Sequence, residues 1–282
     1  MATTHQTTRT HYEGHSTESY ESAYFYAPGP YMEYLEKTVA EAFAWQPFES
    51  SPKGRLLDIG GGTGNFTRCL LPYVDRAVIV DPFLSASDES DDTRIEFVSA
   101  AAEAFAVDED ATALSASAMP DWRTNYDYIL LKEVVHHLDN RVTLFRGLHK
   151  SLNESIDNEN KPQNPQLLLI TRPQTDLDYP LWPAALDVWA QNQPSAAQLT
   201  EELHQAGFIR TATTVHDYPC QISLTAWQGM VQRRFWSTFS HFTDEELQAA
   251  CADMSVTQAD RLHDNGTTLR FEDRLVFIRA WK

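Results

Sequence analysis

The chain has 282 residues, 42% of them hydrophobic, and 22 basic against 40 acidic side chains give a formal net charge of −18. That length holds one large α/β domain or two small ones, the charge opposes a polyphosphate backbone as partner, and no apolar run approaches the ~20 residues of a membrane span. The three cysteines, Cys69, Cys220 and Cys251, are far apart and form no C-x-x-C pair, which argues against a disulfide framework or zinc site and for a cytoplasmic location.

The start, MATTHQTTRTHYEGHSTES, is polar and lacks the apolar stretch of a signal peptide, so a flexible tail is expected over residues 1–18. After Pro28-Gly29-Pro30, residues Tyr31, Leu35, Val39 and Phe43 recur at four-residue spacing and predict an amphipathic helix. Leu56, Leu57 and Ile59 read as a short buried strand, and Thr63, Phe66 and Cys69 to Leu71 then fall at helical spacing. Further buried strands are expected in RAVIVDPF, at Ile95 to Val98, at Ile129 to Leu131 and at Leu167 to Pro173. Asp139 or Asn140 is placed to cap a helix carrying Val142, Leu144, Phe145, Leu148 and Leu152. A helix in SAAQLTEELHQAGF ends at Gly207, and the last strands are expected in FIRTATTVHDY and RFEDRLVFIRAW. Strands alternating with helices imply a mainly parallel sheet covered on both faces.

Between the first strand and its helix stand four glycines, in LDIGGGTGNF. Such a strand-to-helix turn offers free amide N–H groups to an electron-rich ligand. The dinucleotide pattern G-x-G-x-x-G fails here: counted from Gly60 its third glycine falls on Asn65, and counted from Gly61 its second falls on Thr63. The residues fit an acid followed by alternating glycines, Asp58, Gly60, Gly62 and Gly64, and this string resembles motif I of the class I S-adenosyl-L-methionine-dependent methyltransferases. YDYILLKEVVHHLD resembles motif IV of the small-molecule enzymes of that class, and the resemblance covers roughly Gly54 to Pro173, continuing more weakly to the final strand.

The resemblance implies a Rossmann-like seven-stranded, mostly parallel sheet with helices on both faces, an antiparallel last strand and a helical, aromatic-rich cap. It implies one methyltransferase domain over 19–282, with a core of about 50–173, 195–218 and 266–282 and cap elements of about 19–48, 174–194 and 219–265. The cofactor would be S-adenosyl-L-methionine, the product S-adenosyl-L-homocysteine, and no metal is expected. Asp81 would hold the ribose, Pro82 and Phe83 would border the adenine, and Ala101 and Ala102 stand where many relatives carry GDAE, so recognition there would fall to backbone N–H groups. Lys132 is either a cofactor neighbour or a solvated side chain.

His137 occupies the position of a histidine near the transferring methyl group in relatives such as phosphoethanolamine methyltransferases. It is the candidate general base, the alternative being a residue that hydrogen-bonds the backbone and shapes the pocket, with Tyr20, Tyr24 and Tyr26 as candidates to close over it. His136 and His137 are expected to point to different sides. Tyr20, His136, Glu133, Arg172, Trp182 and Arg234 are candidates to contact the acceptor, Glu133 alternatively binding the methionine end of the cofactor. Arg172 and Arg234 would do so by bidentate pairing with an anionic group, or would pair with one of the chain's own acids. Trp182, Trp189, Trp227 and Trp236 are candidates for an apolar or cation-binding wall. The expected partner is a small-molecule substrate, with no nucleic acid and no membrane, and the protein is expected to be a monomer or homodimer. The alternatives are a non-catalytic binder of the same cofactor and a nicotinamide-dependent oxidoreductase.

Overall fold

The computed structural model describes residues 28–45, 54–84, 92–106, 123–154 and 165–282. Its elements are α1 (Pro28–Phe43), β1 (Arg55–Ile59), α2 (Asn65–Leu70), β2 (Arg76–Asp81), β3 (Ile95–Ser99), β4 (Tyr128–Lys132), α3 (Arg141–Ser151) and β5 (Gln166–Thr171). These are followed by α4 (Pro183–Asn192), α5 (Ala196–Gln205), β6 (Arg210–Ser223), α6 (Leu224–Gln232), α7 (Asp244–Thr257), β7 (Leu262–His263) and β8 (Thr268–Trp281). The sheet runs β3-β2-β1-β4-β5-β8-β6, and β7 pairs with β8. The first five strands are mutually parallel, and β8 lies antiparallel to β5, with Thr171 opposite Val276. This is the Rossmann-like methyltransferase fold, including its reversed final strand.

The chain divides into two compact units. The larger holds residues 32–171, 196–214 and 276–282. Its parallel strands are buried along their length, so leucine, isoleucine and valine dominate them, as a sheet covered on both faces requires. Leu57, Ile59, Val78, Ile129, Leu131 and Leu167 meet Phe105, Phe145 and Phe208 in one core. At the amino end of this sheet Asp127 accepts from Arg55 N–H at 2.8 Å and from Asn153 Nδ2 at 2.8 Å, fastening β4 to β1 at the edge away from the glycine turn. Asn140 precedes α3 in a left-handed conformation and its side chain makes no capping hydrogen bond.

The smaller unit holds residues 172–195 and 215–275 with the start of α1 as far as Tyr31. Its core is aromatic: Tyr179, Trp227, Trp236, Phe239 and Phe271 pack with ring centroids 4.8–6.4 Å apart. Trp227 is fully buried and donates its indole N–H to Pro180 C=O at 3.1 Å. Trp227 and Trp236 are therefore core residues of this unit and not an open wall, a correction to the sequence expectation.

Candidate functional site

β1 leads into the glycine turn, where Gly60, Gly62 and Gly64 have φ of 75°, 55° and 77°, the left-handed region that glycine enters without a Cβ clash. Space is as restrictive as conformation. A Cβ on Gly60 would lie 2.8 Å from Val134 Cγ2, and one on Gly64 would lie 2.5 Å from Ile79 Cδ1. The fourth glycine, Gly61, has a role that sequence reading did not assign: a Cβ there would lie 2.6 Å from Asp58 Oδ2. The turn is thus folded directly over the Asp58 carboxylate. The helix beyond it, α2, has only six residues, so the turn's own amides outweigh any long helix dipole.

Asp58 is 3% exposed and accepts a hydrogen bond from Thr67 Oγ1. Burial pushes its pKa up to about 6, against the Thr67 hydrogen bond and the Lys132 charge, which pull it down. A carboxyl that holds its proton more tightly folded than unfolded contributes most below pH 3.8, and that contribution is lost as pH rises through about 6. Asp58→Asn, which keeps an acceptor for Thr67 and cannot ionise, is expected to be more stable than wild type by about 1–3 kcal/mol at pH 7.5. The advantage should shrink toward zero near pH 4, in denaturant titrations at both pH values. Equal stability of the two proteins at pH 7.5 would mean that Lys132 fully compensates the buried charge.

β2 ends at Asp81, 7% exposed, whose carboxylate accepts from Gly62 N–H at 3.1 Å and from Phe83 N–H at 2.9 Å. The acid is thereby held against the glycine turn. Pro82 and Phe83 follow it, both exposed, and Phe83 shows 42% of its surface, one of few large apolar side chains left so open. β3 ends at Ser99, and the chain then passes Ala101, in extended conformation, into a short 3-10 helix beginning at Ala102. Because β3, β2, β1 and β4 are parallel neighbours in register, these features share the carboxyl edge of the sheet. Ligands of open α/β sheets bind at that edge.

β4 delivers Lys132, whose Nζ lies 5.6 Å from the centroid of the Phe66 ring and whose charge acts on Asp58. Glu133 follows with φ of 58°, unusual for a residue with a side chain, and its N–H donates to Ile170 C=O at 2.8 Å. This bend turns the chain into a 3-10 turn, Val135–His137. The two histidine rings there lie with centroids 3.8 Å apart, tilted by 53°. They are in contact, which corrects the expectation that they point apart; neither a regular helix nor a strand continues from β4. Burial pushes the pKa of His136 down to about 4, so it is neutral above that pH.

The remaining candidates belong to the smaller unit or lie outside the described residues. Arg172 is buried and donates from Nε to Asp273 Oδ1 at 3.0 Å and from its Nη2 to Oδ2 at 3.2 Å. Arg234 pairs with Asp244 at 2.7 Å and donates to Phe242 C=O at 2.9 Å. Each thus has an acidic partner in the chain itself, the second of the two roles considered for them. Trp182 is half-buried between Phe239 and Phe242. Tyr20, Tyr24 and Tyr26 lie outside the described residues. Among the described residues no three His, Cys, Asp or Glu side chains are grouped to hold a metal ion, and no helix is long and apolar enough to cross a membrane.

A glycine turn over a buried acid, with a second acid ending the next strand of this sheet, defines the methyltransferase class. The profile of the family described as "Methyltransferase domain" matches residues 30–210, and the chain belongs to that family, an S-adenosyl-L-methionine-dependent one. A candidate methyltransferase of Bacillus halodurans is similar in structure, with a TM-score of 0.54 at 14% identity over 88% of this chain and 98% of its own. Phosphoethanolamine N-methyltransferase 2 of Haemonchus contortus, solved with phosphomonomethylethanolamine and S-adenosylhomocysteine, gives 0.53 at 12% identity over 100% of this chain and 60% of its own. A candidate methyltransferase from an antibiotic biosynthesis pathway of Anabaena variabilis gives 0.52 at 15% identity, over 87% of this chain and 96% of its own. No curated protein matches the sequence.

Proposed function

We propose that the protein methylates a small molecule at an oxygen, nitrogen or sulfur nucleophile, with the cofactor held at the carboxyl edge of β1, β2 and β3. The observation that carries this is the turn itself: Gly60, Gly62 and Gly64 hold left-handed backbone, Gly61 packs against the Asp58 carboxylate, and Gly62 N–H donates to Asp81. Those residues suit S-adenosyl-L-methionine. The Asp81 carboxylate is an acceptor of the right charge for two ribose hydroxyls, exposed Phe83 offers a face to adenine, and backbone N–H groups at the start of the Ala102–Phe105 turn suit its ring nitrogens. Lys132 and Asp58 provide charges of both signs for the zwitterionic methionine end. The small-molecule complex of the Haemonchus contortus enzyme supports the same acceptor class.

When bound, this cofactor supplies an already activated methyl group. What the chain must add is alignment of the acceptor and removal of its proton. We assign the proton to His137, on the turn after β4, with the neutral His136 ring packed against it. Glu133, at the preceding bend, is the candidate for an acceptor amine.

Asp81→Ala tests the cofactor site. A hydrogen bond to a charged group contributes about 1.5–3 kcal/mol, so the dissociation constant for S-adenosyl-L-methionine should rise about ten- to a hundredfold in isothermal titration. An unchanged constant would remove Asp81 from the site. Wild-type binding of NAD in place of S-adenosyl-L-methionine would overturn the cofactor assignment itself.

A further inference from the structure

The smaller unit contains a cleft of about 540 Å³, bordered by Asp178 from the segment after β5, Tyr218 and Cys220 from β6, and Arg270, Phe271 and Glu272 from β8. That volume falls in the range of small-molecule sites. The frame of the cleft is cross-tied by charge. Asp178 pairs with Arg261 and accepts from Glu272 N–H at 2.7 Å, while Arg274 bridges Asp176 and Asp217. These contacts hold the loop after β5, β6 and β8 against one another, and they use the frame charges on each other.

Two charges inside the frame are left over. Neither the Arg270 guanidinium nor the Glu272 carboxylate forms an ion pair or side-chain hydrogen bond among the described residues. Arg270 and Glu272 are two apart on one strand, so both face the same side of β8, with bases about 6–7 Å apart. Pro219 and Gln221 line the cleft from the exposed side of β6, while Phe271, Tyr218 and Cys220 border it from the buried side of the two strands.

We propose that this cleft binds a small organic zwitterion whose ammonium and anionic groups are separated by several bonds, the anion on Arg270 and the ammonium on Glu272. A simple anion gains from Arg270 but meets Glu272 and the negative field of the whole molecule; a simple cation meets Arg270. Only a ligand carrying both charges at that spacing satisfies both groups. A planar guanidinium favours a carboxylate or phosphate over other anions, since it offers two parallel donors. The residues of the cleft belong to one unit and the glycine turn to the other, and the proposal does not depend on the cofactor assignment.

The test uses the full chain without cofactor and 6-aminohexanoate as probe, whose charges have this separation, with glycine, hexanoate and hexylamine as controls. Titration followed by protein-observed NMR should show saturable shifts at Gln221 and Arg270 with a dissociation constant at or below about 10 mM. The three controls should bind at least about tenfold more weakly, and Arg270→Ala and Glu272→Gln should each weaken 6-aminohexanoate about tenfold or more. Affinity for S-adenosyl-L-methionine should be the same in both variants and wild type, which also reports that they are folded. No saturable shift with 6-aminohexanoate, equal binding of hexanoate or hexylamine, or full binding by folded Arg270→Ala would each overturn the proposal.

Discussion

Asp273→Ala is expected to destabilise the protein by about 3–5 kcal/mol, the cost of leaving one charge of a buried pair without its partner. Asp273 is completely buried and accepts hydrogen bonds from Tyr31 at 2.7 Å, from Tyr179, and from two nitrogens of Arg172. Removing the carboxylate strands the buried Arg172 cation and leaves both tyrosine hydroxyls without this acceptor. Against a total stability of roughly 5–15 kcal/mol, such a loss is large, and urea titration would read it directly. Burial alone would raise the pKa of Asp273; the Arg172 charge and the hydrogen bonds from Arg172, Tyr179 and Tyr31 outweigh it and hold the carboxyl below its ordinary value. The contribution is therefore present above the unfolded value near 3.8 and lost as pH falls through the folded one. The variant should accordingly lose most relative to wild type at neutral pH, and the gap should narrow in strong acid. Replacing both partners, as in Arg172→Met with Asp273→Leu, should cost less than Asp273→Ala alone, because no charge is then left buried. A loss below about 1 kcal/mol for Asp273→Ala would show that water or a shifted side chain satisfies Arg172.

That cluster is also where sequence reading reached its limit. The partners of Asp273 lie 242, 101 and 94 residues away, and no local pattern connects them. The one signal was position: Leu269, Phe271, Asp273 and Leu275 alternate on the buried side of β8, so an acid in that series required a partner. Local patterns performed well where burial sets the period. Tyr31, Leu35, Val39 and Phe43 all point inward from α1, and the five parallel strands stand where their apolar runs predicted. The sequence pattern places the end of β6 near Tyr218, yet the strand continues to Ser223 through Pro219. As the last strand of the sheet order, it can carry a proline whose missing N–H faces no neighbour. The glycine turn was legible because left-handed backbone and close packing both demand glycine, although Gly61's place over Asp58 needed coordinates. The histidine pair was misjudged because a bend at Glu133, with positive φ on a non-glycine residue, is invisible to periodicity.

His137→Ala is expected to lower turnover by about 10²–10⁴-fold, the usual contribution of a positioned acid or base, while affinity for S-adenosyl-L-methionine stays near that of wild type. The two histidines touch, so a loss on mutation does not by itself say which one handles the proton. Their ionisation does. Desolvation holds His136 to a pKa of about 4, so across the range from pH 5 to 8 it stays neutral and contributes no limb to a rate profile. An acid limb in that interval, with turnover rising as pH rises, then comes from His137 or from Asp58, whose pKa is about 6, and the His137 variant separates the two. It should vanish in His137→Ala and persist in His136→Phe, which keeps a ring in the same space. His136→Phe should also resist acid better than wild type. His136 binds its proton less readily folded than unfolded, so wild type loses stability as pH falls from 6.5 toward 4, and phenylalanine has no such loss. If the limb survives in His137→Ala, it belongs to Asp58 or another group and not to His137, and the turn after β4 serves to shape the pocket. If turnover itself is near normal, alignment of acceptor and methyl group accounts for the rate, and the acceptor arrives at the site already deprotonated.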